Sequence, residues 1–118
     1  MDTKYPEEEF EESEFEDSAI HITIEIIEYS AGSVATKTII KKYTSSVCTM
    51  SFDSQESLNR TTRKIDNFIQ VVAGSVEIII DGTATALDAG QGIVVPAYSP
   101  YYLKTNSHFK MINTMVHE

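Results

Sequence analysis

The sequence predicts an all-β domain, a sandwich or barrel of about eight short strands. Two observations carry this. Apolar residues recur at a period of two in run after run, and no segment carries the 3.6-residue period of an amphipathic helix. The runs are also punctuated at regular intervals by turn-forming clusters, such as Tyr29-Ser30-Ala31-Gly32-Ser33 and Asp81-Gly82.

The elements follow in order. IHITIEII alternates Ile20, Ile22, Ile24 and Ile26 with His21, Thr23 and Glu25, which predicts a first strand. VATKTIIKK and VCTMSF read as the next two, separated by Tyr43-Thr44-Ser45-Ser46. The polar stretch DSQESLNRTTRKID reads as a long connection. NFIQVVAG and SVEIII then read as strands, and Asp81-Gly82 is a two-residue hairpin signal. TATALDAGQGIVVP, YYLKT and HFKMINTMV complete the set.

A chain of 118 residues is one domain by length. Its net charge of −9 is concentrated at one end: residues 1–17 hold nine acids and one base, the remainder nine acids and eight bases. The expected organisation is therefore an acidic arm over 1–17 and a near-neutral β-domain over 18–118. A neutral body offers no broad positive face, so nucleic-acid binding is not expected. Tyr5, Phe10 and Phe15 interrupt the arm. They suggest anchors that lie along a surface of this chain or a partner subunit; a solvated tail is the alternative. No run approaches the ~18 apolar residues of a membrane span, and no basic-then-apolar leader is present, so the cytoplasm is the expected location.

Cys48 is the single cysteine, which leaves no intrachain disulfide and no thiolate zinc cage. It shares a strand face with Met50 and Phe52 and reads as a small buried hydrophobe. Of the histidines, His21 lies opposite the isoleucine face, His108 follows a turn, and His117 stands at the C-terminal end.

The chain from about residue 28 to 116 resembles the small single-domain bacterial cupins, of the RmlC-like, conserved-barrel type. Gly90 and Pro96 fall on the first two fixed points of the second cupin motif; Tyr98 replaces its glycine, Tyr101 its histidine and Thr105 its asparagine. Gly74, in QVVAGSVEIIIDG, matches the glycine that closes the first motif. The resemblance implies a double-stranded β-helix, or jelly-roll barrel, and commonly a homodimer.

It also implies where a metal would sit. The family's glutamate position falls on Asn67, its histidine pair on Thr61 and Arg63 (or Arg60 and Thr62 at a spacing one longer), and its last ligand on Tyr101. An amide, a guanidinium and a protonated phenol do not make a divalent-metal site, so no metal and no cofactor are expected. Asp66, one residue from the glutamate position, should face the opposite way.

Pro96 and Pro100 rigidify the turn that, by the resemblance, aims the last ligand position, here Tyr101, into the barrel. One reading is an aromatic-lined pocket for a small polar ligand, a sugar, carboxylate or phosphate, bound by Arg60, Arg63, Asn67, Tyr98 and Tyr101 without being transformed. The other is that Tyr101 plugs the barrel. A metal-independent isomerase or epimerase with a tyrosine acid is an alternative, although no base is evident. A third is an interaction protein built on a dimeric barrel and the acidic arm.

Overall fold

The computed structural model describes residues 13–53, 57–61, 64–105 and 107–117, of which 57–61 are described by strand course alone. Eight strands run through it: β1 (Val34–Lys41), β2 (Ser45–Phe52), β3 (Ser57–Thr61), β4 (Ile65–Ile80), β5 (Thr83–Asp88), β6 (Gly92–Val95), β7 (Pro100–Lys104) and β8 (Phe109–His117). All pairings are antiparallel. The larger sheet has the order β1-β2-β8-β4-β6 and the smaller one β5-β4-β7-β3. Among the described residues the two are joined through β4 and do not close, leaving β1 and β3 as the ends of the path.

β4 corrects the expectation of two strands. NFIQVVAG and SVEIII form one 16-residue strand that pairs β8 and β6 with its first half and β5 and β7 with its second. The change of sheet occurs at Gly74, whose φ is +79°. A Cβ there would also stand 2.9 Å from the Cα of Phe109, so only glycine fits. The β4–β5 hairpin turns on Asp81 and Gly82, both at positive φ, as the Asp-Gly signal requires.

The inward faces of the two sheets bury one core. Met50, Phe52, Ile69, Val71, Phe109 and Met111 come from the larger sheet, and Val76, Ile78, Leu87 and Leu103 from the smaller one. Phe52 and Phe109 are register partners whose rings stack at 4.4 Å. Cys48 is buried beside Met50, as the alternation of β2 predicts.

Two further expectations change. The stretch DSQESLNRTTRKID is not only a connection, because Ser57–Thr61 pairs with β7. A polar segment can serve as an edge strand, where only one neighbour is needed and packing overrides propensity. The isoleucine run is not a strand: Thr23–Glu25 form a 3-10 turn, closed by the Glu25 amide on the Ile22 carbonyl at 2.8 Å. Ile27 is buried, yet Ile20 is 96% exposed, with Ile22 and Ile24 also exposed. Alternation makes a strand only where a ladder partner is available. Instead the segment crosses the outer face of the larger sheet as a strap, held by Lys110 Nζ on the Ile24 carbonyl (2.6 Å) and Ser51 Oγ on the Glu28 carbonyl (2.8 Å).

The described end of the arm lies against β1, an edge strand. Glu14 donates its amide to the Thr38 carbonyl at 2.9 Å and accepts the Thr38 amide on Oε2 at 2.7 Å. Phe15 meets the His21 ring edge-on at 5.0 Å, which ties the arm to the strap. Tyr5 and Phe10 lie outside the described residues. His117 pairs with Ile65 in the ladder and donates its amide to the Thr44 carbonyl at 2.7 Å.

Candidate functional site at one end of the barrel

The inward row of β8 reads Phe109, Met111, Asn113, Met115, an apolar series with one polar member. Register places Asn113 across from Cys48 on one side and Ile69 on the other, one step from Asn67 on β4. Asn67 and Asn113 are both 2% exposed, and Asn67 Nδ2 donates to Asn113 Oδ1 at 3.1 Å. Asn67 Oδ1 is fully buried and has no hydrogen-bond partner among the described residues. A buried acceptor left in this state costs about 1–3 kcal/mol relative to a satisfied one. Asn113 was not singled out from sequence; its signal was a lone amide on an otherwise apolar strand face.

Tyr101 comes from β7, on the smaller sheet. It is 3% exposed and packs within the hydrophobic core, with its hydroxyl fully buried. The β3–β7 ladder sets Arg60 across from Tyr101 and Thr61 across from Pro100. Side chains of 57–61 are not described, and Thr62 and Arg63 lie outside the described residues.

Asp66 faces away from Asn67, as strand alternation requires, and has a structural task there. Its Oδ1 accepts the Ala97 amide at 2.8 Å, tying the start of β4 to the turn after β6. That turn is closed by the Ser99 amide on the Pro96 carbonyl at 3.3 Å. Inside it Tyr98 holds φ at +68°, the left-handed region, with its side chain 61% exposed. A non-glycine residue there carries a backbone cost of about 1–2 kcal/mol. Tyr102 is half-exposed on the outer face of β7.

These residues do not fit the metal that the family pattern implies. Asn67 spends its amide on Asn113 and offers only a neutral carbonyl, Tyr101 is a phenol enclosed in apolar packing, and Arg60 is a permanent cation. Among the described residues, no three of His, Cys, Asp and Glu come together as a metal-binding group.

Other features lie elsewhere. An open groove of about 400 Å³ on the smaller sheet is bordered by Ser75, Glu77, Asp88, Lys104 and Thr105. Thr105 is buried and donates its hydroxyl to the Ser107 carbonyl at 2.6 Å. At the end of the larger sheet remote from Asn67, His108 Nε2 and Asp53 Oδ1 approach to 2.7 Å. Tyr29 of the strap stacks on the His108 ring at 4.4 Å. Burial raises the Tyr29 phenol above its ordinary pKa.

No helix among the described residues is long and apolar enough to cross a membrane. No family model matches the sequence, and no curated protein matches it. Solved structures do. A conserved Streptococcus pyogenes protein of unknown function superposes with a TM-score of 0.82 at 21% identity, over 88% of this chain and 91% of that one. A cupin-2 conserved barrel domain protein from Leptotrichia buccalis gives 0.75 at 28% identity, over 79% of this chain and 45% of that one. An RmlC-like cupin from Shewanella frigidimarina gives 0.71 at 16% identity, over 92% and 94%. With the two sheets, the shared β4 and the turn at Pro96 already in place, the chain has the fold of the cupin superfamily.

Proposed function

We propose that this cupin barrel binds a small polar organic ligand (a sugar, carboxylate or phosphate) at the Tyr98 end and does not transform it. The observation that carries the reading is Tyr98 itself. Its backbone angle is one that glycine adopts freely and the family pattern supplies with glycine, yet an exposed tyrosine occupies it. Local strain of this kind persists where the side chain is used. Asn67 Oδ1 adds a buried acceptor that a ligand hydroxyl or amine would satisfy. The pairing of Arg60 with Tyr101 across the ladder puts a cationic residue type at the same end.

The reading without catalysis rests on the donor set. Asn67, Asn113 and Tyr101 hold or orient a ligand; none is a base at neutral pH.

A thermal-shift screen of sugars, carboxylates and phosphates tests the reading. A ligand at 100 times its Kd adds about 2.7 kcal/mol, a readily measured shift. The shift should disappear in Tyr98→Gly. Uniformly flat responses from the wild type would sink the proposal.

A further inference from the structure

An apolar groove of about 180 Å³ opens on the outer face of the larger sheet, walled by Phe15, His21, Thr23, Ile26, Ile39 and Ile112. Ile39 comes from β1, Ile112 from β8 and Ile26 from the strap. The remaining apolar wall is Phe15, the described end of the arm. Lys37 Nζ lies 5.8 Å from the Phe15 ring centroid, so a cation marks the rim. Hydrogen bonds fix the arm at this point. Glu14 engages both the amide and the carbonyl of Thr38. Ser13 Oγ donates to the Phe15 carbonyl at 2.9 Å and accepts the Phe15 amide at 3.1 Å. A serine that closes on the residue two ahead bends the chain. Residues 1–12 are therefore attached at the rim of an open apolar groove.

We propose that this groove is the seat of Phe10, which makes the acidic arm a tethered ligand of the chain's own outer face. The proposal does not rest on the ligand reading, which concerns the Tyr98 end of the barrel. Three features commit the groove to this occupant. The triplet Glu9-Phe10-Glu11 repeats Glu14-Phe15-Glu16 at a spacing of five, and the second triplet already docks on this surface. Tyr5, the other aromatic of the arm, stands between Lys4 and Pro6 and lacks those flanks. Reach is the second feature. Five residues span at most ~17 Å, and Phe15 itself lines the groove. Such a tether holds the ring at an effective concentration on the order of millimolar, ahead of a segment from any other molecule. The third feature is chemistry. A phenyl ring matches walls of Phe15, Ile26, Ile39 and Ile112 and gains an aromatic neighbour in Phe15, while Lys37 at the rim suits carboxylates on either side of the ring. Docked, Phe10 covers the three isoleucines and ties arm, strap and sheet into one unit.

The chain has no tryptophan, so Phe10→Trp in the full-length protein reports on this position alone. The expected result is emission at shorter wavelength, and acrylamide quenching several-fold weaker, than in a Tyr5→Trp protein. Protection should be the same at every protein concentration, as an intramolecular contact requires. Adding Ile26→Glu, which sets a carboxylate in the groove wall, should restore full quenching of the Phe10→Trp protein. Lys37→Glu should restore most of it while leaving the apolar walls intact, so the test does not hang on how the Ile26→Glu strap folds. A Phe10→Trp signal as solvent-exposed as that of Tyr5→Trp overturns the proposal. Protection indifferent to Lys37→Glu and Ile26→Glu also overturns it, because the ring would then be seated elsewhere. Protection that grows with protein concentration overturns the intramolecular contact and gives the groove to the arm of a second copy.

Discussion

His108 Nε2 lies 2.7 Å from Asp53 Oδ1, and the other oxygen of the same carboxylate accepts the Gly32 amide at 2.7 Å. One side chain thus joins the start of β8 to the loop that ends the strap, while Tyr29 covers the imidazole from above. Asp53→Ala removes both contacts. Partly exposed polar contacts contribute little, so we expect a loss of about 1 kcal/mol, read as a lower urea midpoint. Hydrogen exchange should accelerate at the Gly32 amide while the core of β4 stays protected.

The Tyr29 phenol is raised by desolvation, which sets the sign of a pH effect. A folded-state pKa above the unfolded one stabilises the fold fully below the unfolded value and loses that contribution as pH rises through the folded value. Stability should therefore fall above about pH 10, the ordinary phenol range. Tyr29→Phe should flatten that part of the alkaline limb. An identical limb in the variant would place the responsible group elsewhere.

Tyr98→Gly should stabilise the protein. Removing a left-handed non-glycine residue recovers about 1 kcal/mol after the extra entropy of glycine in the unfolded chain is counted. A higher melting temperature combined with loss of the ligand response would tie the strain to binding.

Gly74→Ala should act in the opposite direction and more strongly. The φ of +79° and the approach of Phe109 combine, so we expect a loss above ~2 kcal/mol. Soluble protein with an unchanged denaturant midpoint would mean that β4 can bend at another residue.

Asn67→Leu alone leaves Asn113 Oδ1 without its donor and should cost about 1–3 kcal/mol. The double variant Asn67→Leu, Asn113→Leu removes both polar groups and should be closer to wild type than the single one. A double variant worse than the sum would indicate that the amide pair organises this end of the barrel.

Local chemistry was enough to place most strands. Strict alternation in VCTMSF and HFKMINTMV fixed which side chains point inward, and Asp81-Gly82 supplied a turn with a single geometry. Asp66 facing away follows from the same period of two, and Tyr101 facing the core follows from the family resemblance. The cupin resemblance, carried by Gly74, Gly90 and Pro96, named the architecture that alternation alone left as a sandwich or a barrel.

Tertiary structure decided what depends on partners distant in sequence. Whether IHITIEII becomes a strand depends on an open ladder, and the polar Ser57–Thr61 becomes one only because β7 lies beside it. Asn67 meets Asn113 across 46 residues, and Asp53 meets His108 through strands that pair only in the folded sheet. A period of two tells a residue which face it occupies. Which residue stands opposite is set by register, and register is a property of the assembled sheet.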